Sequence, residues 1–252
     1  MRILKLGTFL FLLTVFVVVA VILRFYAVTP VNKRRVSSWW THKMCKTGVW
    51  LFGLDISSTG KEYLEPGGKL IISNHMSYLD IIVYASIRPS VFVSSVEMQK
   101  TPVLGFLAKL GATFFVERRD PKLIKLEIGK MAELVSEGFN VFLFPEGTST
   151  DGSEILPFRS SLLASASSGN VEVVPSCIKY TEIDGKEFSP ENCDYVCWYG
   201  DMSFAPHLWG LLSTRNIKVK ATYFEPIDSG KMNRKVITQR AHELITKEYF
   251  AA

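Results

Sequence analysis

The chain has 252 residues, 48 % of them hydrophobic, enough for one sizeable domain and a short appendage. Its four cysteines, Cys45, Cys177, Cys193 and Cys197, are too sparse for a disulfide framework, and Cys193 and Cys197 lack the second pair or histidine spacing of a zinc site. The formal net charge is +5, yet no basic run interleaved with aromatics lies beyond an N-terminal cluster, so no nucleic-acid partner is expected.

Residues 6–23 form an uncharged run of Leu, Phe, Val, Ile and Ala, with one Gly and two Thr, bounded by Lys5 and Arg24. As a helix it covers about 27 Å, enough to cross a hydrocarbon core or lie obliquely in one leaflet. A cleaved signal peptide would have a shorter run ending in a small-x-small site; this one ends V-I-L-R-F-Y, which points to a retained anchor. Arg24, Lys33, Arg34 and Arg35 outnumber Arg2 and Lys5, a bias that places the bulk of the protein on the cytoplasmic side of the cell inner membrane. The same cluster favours anionic membrane lipids as partners. Trp40, Met44, Thr47 and Leu51 then recur at helical spacing with Trp39 and Trp50 beside them, and His42, Lys43 and Lys46 fall on the other face. That pattern predicts an amphipathic helix lying on the membrane or packed against the first, with an ordinary core-facing helix as the rival. Residues 1–55 are therefore expected to be membrane-anchoring helices, and residues 56–252 the main domain.

From residue 70 onward, apolar runs predict strands at 70–73, 91–94, 113–116, 141–144, 171–175 and 217–224. Helical patterns alternate with them at 79–87, 102–110, 121–136, 158–167 and 232–249. This alternation predicts an α/β domain, a largely parallel sheet flanked by helices. Residues 186–210, with scattered Trp, Pro and Gly, fit either a long loop or an edge hairpin.

Two junctions carry chemistry. The first is N-H-M-S-Y-L-D at residues 74–80, where an apolar strand gives way to a helix. Asp80, in the first helical turn, can fold back to His75, fix its tautomer and stabilise the imidazolium that forms when the ring takes a proton. That is general-base chemistry on a weak nucleophile. A strand-end histidine and a helix-terminal carboxylate would give the same pair without it. The second junction is N-V-F-L-F-P-E-G-T-S-T at residues 140–150, a buried strand breaking at Pro145 into a tight polar turn. Both motifs arise by accident in such a chain with odds on the order of one in a million. His75, Arg118 and Glu146 each follow a predicted strand, so one edge of the sheet can gather all three, as ligand sites in such sheets require.

These blocks resemble the phospholipid/glycerol acyltransferase superfamily of the PlsC type. H-x-x-x-x-D (residues 75–80), G-A-T-F-F-V-E-R (111–118), F-P-E-G-T (144–148) and V-V-P-S (173–176) occur in the order of that family's pattern. The resemblance spans roughly residues 70–180. It implies a helix-flanked α/β sheet and acyl transfer from acyl-CoA or acyl carrier protein to a lysophospholipid, with no metal or cofactor beyond the acyl donor. It also implies that Arg118 and the Glu146, Gly147, Thr148 turn hold the acceptor's glycerol phosphate. A guanidinium forks onto phosphate, Glu146 can accept from acceptor hydroxyls, and Gly147 lets the backbone approach closely. Asn74 or backbone N–H groups at the helix start are the candidates for steadying the tetrahedral oxyanion. Where the family commonly reads F-P-E-G-T-R-S this chain has Ser149, and Ser95 stands where a lysine is usual. Phe158-Arg159-Ser160-Ser161 replaces the later F-K-x-G. These departures resemble the branch that contains lyso-ornithine lipid acyltransferases. The expected acceptor is nominally 1-acyl-sn-glycerol 3-phosphate, giving phosphatidate, with lyso-ornithine lipid or another lysolipid as the alternative.

Rivals from other classes fit less well. A serine hydrolase would close its nucleophile elbow with a glycine that G-T-S-T-D (147–151) lacks. Neither G-x-G-x-x-G nor G-x-x-x-x-G-K-[ST] occurs for a nucleotide. A silent lipid-binding protein would not be expected to keep both His75 and Asp80.

Overall fold

The computed structural model describes residues 1–117, 121–161, 163 and 171–251, with 121–125 and 231 described by backbone alone. The strands are β1 (Leu54–Thr59), β2 (Leu70–Ser73), β3 (Val91–Ser95), β4 (Phe114–Val116), β5 (Val141–Leu143), β6 (Val173–Ile183), β7 (Lys186–Glu187) and β8 (Ile217–Tyr223). The helices are α1 (Arg2–Tyr26), α2 (Pro30–Phe52), α3 (Tyr78–Ile87), α4 (Val96–Gln99), α5 (Leu104–Leu110), α6 (Pro121–Ser136), α7 (Phe204–Leu211) and α8 (Arg234–Phe250).

All these strands join one sheet in the order β1-β8-β6-β2-β5-β3-β4, with β7 paired to β6. The run β6-β2-β5-β3-β4 is parallel throughout, whereas β8 is antiparallel to β6 and β1 is parallel to β8. The sheet is thus largely parallel, as expected, with β1 and β8 reversed at one edge and the short β7 reversed beside β6. β2 and β5 are buried at every position because both of their faces are covered. Ile71, Phe142 and Val174 pack into one core with α3, while Leu70, Ile72, Val141 and Val173 pack into the other with α6 and α8.

The largest departures lie at the reversed edge. The strand expected at 171–175 continues to Ile183, because beyond Ser176 it pairs antiparallel with β8. Residues 186–210 combine both expected alternatives with something new. The two-residue β7 is an edge hairpin, but the segment then forms a short 3₁₀ turn, Cys193–Tyr195, and leads into α7. The helix expected at 158–167 falls largely outside the described residues.

At the N-terminus, α1 is long and apolar enough to cross a membrane, and of its 25 residues Ala20 alone is buried. It packs on α2, where Trp40 Nε1 donates to the Phe16 carbonyl at 3.1 Å, and Lys5 Nζ donates to the Thr214 carbonyl at 2.8 Å. Thr29 caps α2, Pro30 opens it, and Gly53 closes it in the left-handed region (φ 69°) with the first strand following at once. One expectation for this helix fails. His42 does not share a polar face with the exposed Lys43 and Lys46; it is buried, its Nδ1 2.7 Å from the Ala85 carbonyl of α3. The reason is that α2 is covered on two sides, by α1 and by α3, so a stripe that seems polar in isolation must find a partner inside.

Candidate active site

The site begins where β2 runs out. Its last residue, Ser73, pairs with Ser176, and the chain then crosses the sheet edge as the loop that feeds α3. Asn74 is buried, and its carboxamide takes the N–H and carbonyl of Ile178 at 2.9 Å each, in effect extending the ladder by a side chain. His75 follows at the rim with its side chain 20 % exposed. Asp80 sits in the first turn of α3, fully buried. Its Oδ2 accepts from the Met76 and Ser77 amides at 2.7 and 2.9 Å and lies 2.8 Å from His75 Nδ1. Its Oδ1 accepts from the Tyr180 hydroxyl at 2.8 Å. An ionised carboxylate only accepts, so Nδ1 carries the imidazole proton and Nε2 is left as the basic nitrogen.

The second junction locks onto the first. β5 ends beside β2, and Phe144 stacks its ring on that of His75, with centroids 4.1 Å apart. Glu146 is 2 % exposed, and its two oxygens accept from the His75 and Leu156 amides at 2.8 Å each. Burial drives its pKa up to about 7, against the opposing pull of those two amides. Gly147 turns the chain with φ 79°, a conformation that side-chain-bearing residues rarely adopt. Thr150 N–H then donates to the His75 carbonyl at 3.0 Å, so the two motifs form one hydrogen-bonded unit.

A cleft of about 410 Å³ opens in front of this unit. His75, Gly147, Thr148 and Ser149 line its polar end; Ile81, Phe92, Met98, Leu104 and Ala108 line a long apolar flank. α5 can form that flank because Gly105 lies against the Gln99 carbonyl, where a β-carbon would come within 2.2 Å of the oxygen. Tyr78, Trp198, Tyr199 and Phe204 close the opposite side. Tyr78 OH lies 2.9 Å from the buried His207 Nδ1, and Trp198 N–H donates to the Met76 carbonyl at 2.8 Å. The Ser149 hydroxyl donates to the Trp198 carbonyl, tying the aromatic wall to the glycine turn.

Of the residues singled out from sequence, the structure brings His75, Asp80, Gly147 and Thr148 to one place, with Asp80 behind the ring and the others on the cleft. Asn74 and Glu146 do not line it. Asn74 is buried, with its carboxamide bonded to both backbone groups of Ile178, and the Met76 and Ser77 amides are bonded to Asp80. Glu146 accepts from one backbone amide on each of its oxygens. Arg118 lies outside the described residues. The aromatic wall escaped sequence reading: its one signal is the dense W-Y-G at 198–200, which carries no fixed spacing to either motif.

The His75 imidazole, backed by a buried carboxylate, thus stands at the carboxyl ends of parallel strands and faces a cleft with an apolar flank. The sequence pattern of the acyltransferase family matches residues 55–179. Lyso-ornithine lipid O-acyltransferase of Rhizobium meliloti (strain 1021) is 31 % identical to the chain, over 83 % of this chain and 74 % of its own length. The enzyme of the same name from Brucella abortus (strain 2308) is 33 % identical, over 70 % and 68 %. The 1-acyl-sn-glycerol-3-phosphate acyltransferase of Neisseria gonorrhoeae is 28 % identical, over 68 % and 64 %. The crystal structure of the 1-acyl-sn-glycerophosphate acyltransferase PlsC from Thermotoga maritima shares the fold, with a TM-score of 0.70 over 99 % of this chain and 96 % of that one, at 19 % identity. The chain belongs to the acyltransferase family and is an acyltransferase of the lysophospholipid, PlsC-like kind. Its apolar N-terminal helix and these relatives together indicate association with a membrane.

Proposed function

We propose that this acyltransferase esterifies the hydroxyl of a lyso-ornithine lipid with a fatty acyl group carried as a thioester on CoA or acyl carrier protein. His75 Nε2 removes the hydroxyl proton as the oxygen attacks the thioester carbonyl. The tetrahedral intermediate collapses by breaking the C–S bond, and the proton passes from His75 to the departing thiolate. One ester forms, one thioester is consumed, and the base is restored. A positioned base is worth about 10²–10⁴ in rate, and holding both substrates in the cleft adds the entropic share. The apolar flank between Ile81 and Leu104 suits a fatty chain. With the His75, Met76 and Ser77 amides bonded to Glu146 and Asp80, the Gly147–Thr148–Ser149 wall of the cleft is our candidate for meeting the oxyanion.

The observation that carries this reading is the His75–Asp80 contact of 2.8 Å at the cleft's polar end. The choice of acceptor rests on the two lyso-ornithine lipid enzymes above and on Ser149. Where the family pattern has an arginine for phosphate, this chain has a serine whose hydroxyl is turned to a backbone carbonyl. Ornithine brings an ammonium beside its carboxylate, so its head group carries no net negative charge and calls for fewer cations than a phosphate does. The second reading, 1-acyl-sn-glycerol 3-phosphate as acceptor, is favoured by the Neisseria relative. Purified enzyme assayed against both lysolipids with one acyl donor decides between them: faster turnover of lyso-ornithine lipid is expected, and activity confined to 1-acylglycerol 3-phosphate would refute the choice.

The enzyme works at the cytoplasmic face of the inner membrane in this proposal, held by α1 and by the exposed Trp39 and Trp50 of α2. Removal of residues 1–24 should move the protein towards the soluble fraction; unchanged sedimentation with membranes would contradict the anchor.

A further inference from the structure

β6 is longer than its neighbour β2, and the overhang meets the catalytic loop. The parallel pairing of the two strands ends at Ser73 and Ser176. The next residues of β6 have no strand beside them on that side, and two of them take hold of the loop instead. Ile178 binds the Asn74 carboxamide through both of its backbone groups. Tyr180, 1 % exposed, sends its hydroxyl to Asp80 Oδ1 at 2.8 Å. The loop between Asn74 and Asp80 is thus gripped at both ends by one strand about 100 residues further along the chain.

The two oxygens of Asp80 are served very unequally. Oδ2 faces His75 Nδ1 and two backbone amides, whereas among the described residues Tyr180 is the one donor on Oδ1. Without that hydroxyl, Oδ1 would be a buried carboxylate oxygen with no donor at all. We propose that Tyr180 is a positioning residue for the His75–Asp80 pair, setting the rotation of the carboxylate and how strongly its charge draws on the imidazole. The proposal rests on the reading of His75 as the base.

The hydroxyl takes part of the carboxylate's charge. Removing it concentrates that charge on Oδ2, so the pair binds its proton more tightly. The other titratable groups facing the pair are Glu146, Cys197 and Tyr249. Burial pushes the Cys197 thiol and the Tyr249 phenol well up, so both stay neutral. Glu146 titrates at about 7, but its hydrogen bonds go to His75 N–H and Leu156 N–H and none reaches Tyr180. A change at Tyr180 therefore reads out on the dyad.

Three proteins test this by full kcat and KM profiles against pH, on whichever lysolipid the wild-type enzyme uses. Tyr180→Phe keeps the ring and is expected to lower kcat about tenfold, leave KM within about twofold, and move the acid limb up by about half a pH unit. Site-specific 3-fluorotyrosine at position 180 keeps the shape and strengthens the donor, so its acid limb should move down instead. It also decides the matter should Tyr180→Phe fail to fold. His75→Ala separates the two ideas. If it is inactive while neither Tyr180 variant moves the acid limb, or both move it the same way, the positioning role is wrong and the base stands. If His75→Ala keeps wild-type turnover, it is the base reading that has failed.

Discussion

The polar end of the cleft and its aromatic wall are held by different forces. On the side of His75, directed hydrogen bonds hold the loop, several of them between groups far apart in sequence: Asn74 to Ile178, Asp80 to Tyr180, and Glu146 to His75. On the other side, Tyr78, Trp198 and Phe204 meet through ring contacts at 5.2–6.3 Å, with one side-chain hydrogen bond each at Trp198 and Tyr78. Hydrogen bonds fix a reacting atom to within a few tenths of an ångström. Ring packing tolerates sliding and suits a surface that must accept a flexible lipid. The contrast assigns rate to the first side and substrate preference to the second.

The sharpest way to break that division is His75→Ala. It should cut kcat by about 10²–10⁴ or more while leaving acceptor KM and membrane association near wild type, by steady-state assay and sedimentation. A mainly raised KM would move the residue to the binding side.

Glu146→Gln probes the same hydrogen-bonded side through stability. Glu146 holds its proton up to about pH 7 in the fold, against an ordinary 4.5. The folded chain therefore binds the proton in a range where the unfolded chain releases it, and this group's contribution to stability falls as pH rises from 4.5 to about 7. Glutamine should remove that slope. It should also cost about 1–3 kcal/mol, because its NH₂ must face the His75 or Leu156 N–H. Urea melts at about pH 5 and about pH 8 read both effects. An unchanged slope would show that Glu146 does not titrate there.

The smallest effect is expected on the aromatic side. Trp198→Ala should raise acceptor KM about tenfold and leave kcat within about twofold, since it removes apolar contact shared by ground and transition states. A fall in kcat with KM unchanged would erase the division between the two walls.

The same contrast explains what could be read from the sequence. β2, β5 and their following turns were legible because a continuous apolar run ending in N-H or P-E-G states both the strand and its stop. β1 was not. D-I-S-S-T lies at the sheet edge with alternate residues exposed, and it holds one large apolar side chain to betray it. α7, F-A-P-H-L-W-G-L, carries a proline and a glycine that argue against a helix; the proline is tolerated because it falls in the first turn. The base and its carboxylate could be proposed from five-residue spacing alone. The roles of Asn74, Glu146 and Tyr180 could not, because each depends on a partner brought in by the sheet.

The central claim is that Asp80 holds the proton of His75 on Nδ1 and leaves Nε2 as the base. Nitrogen-15 spectra of the resting enzyme, labelled at histidine, recorded with the ring neutral and assigned by comparison with His75→Ala, test it directly. A pyrrole-type Nδ1 and a pyridine-type Nε2 are predicted for this ring. The reverse tautomer, with the proton on Nε2, would contradict the account.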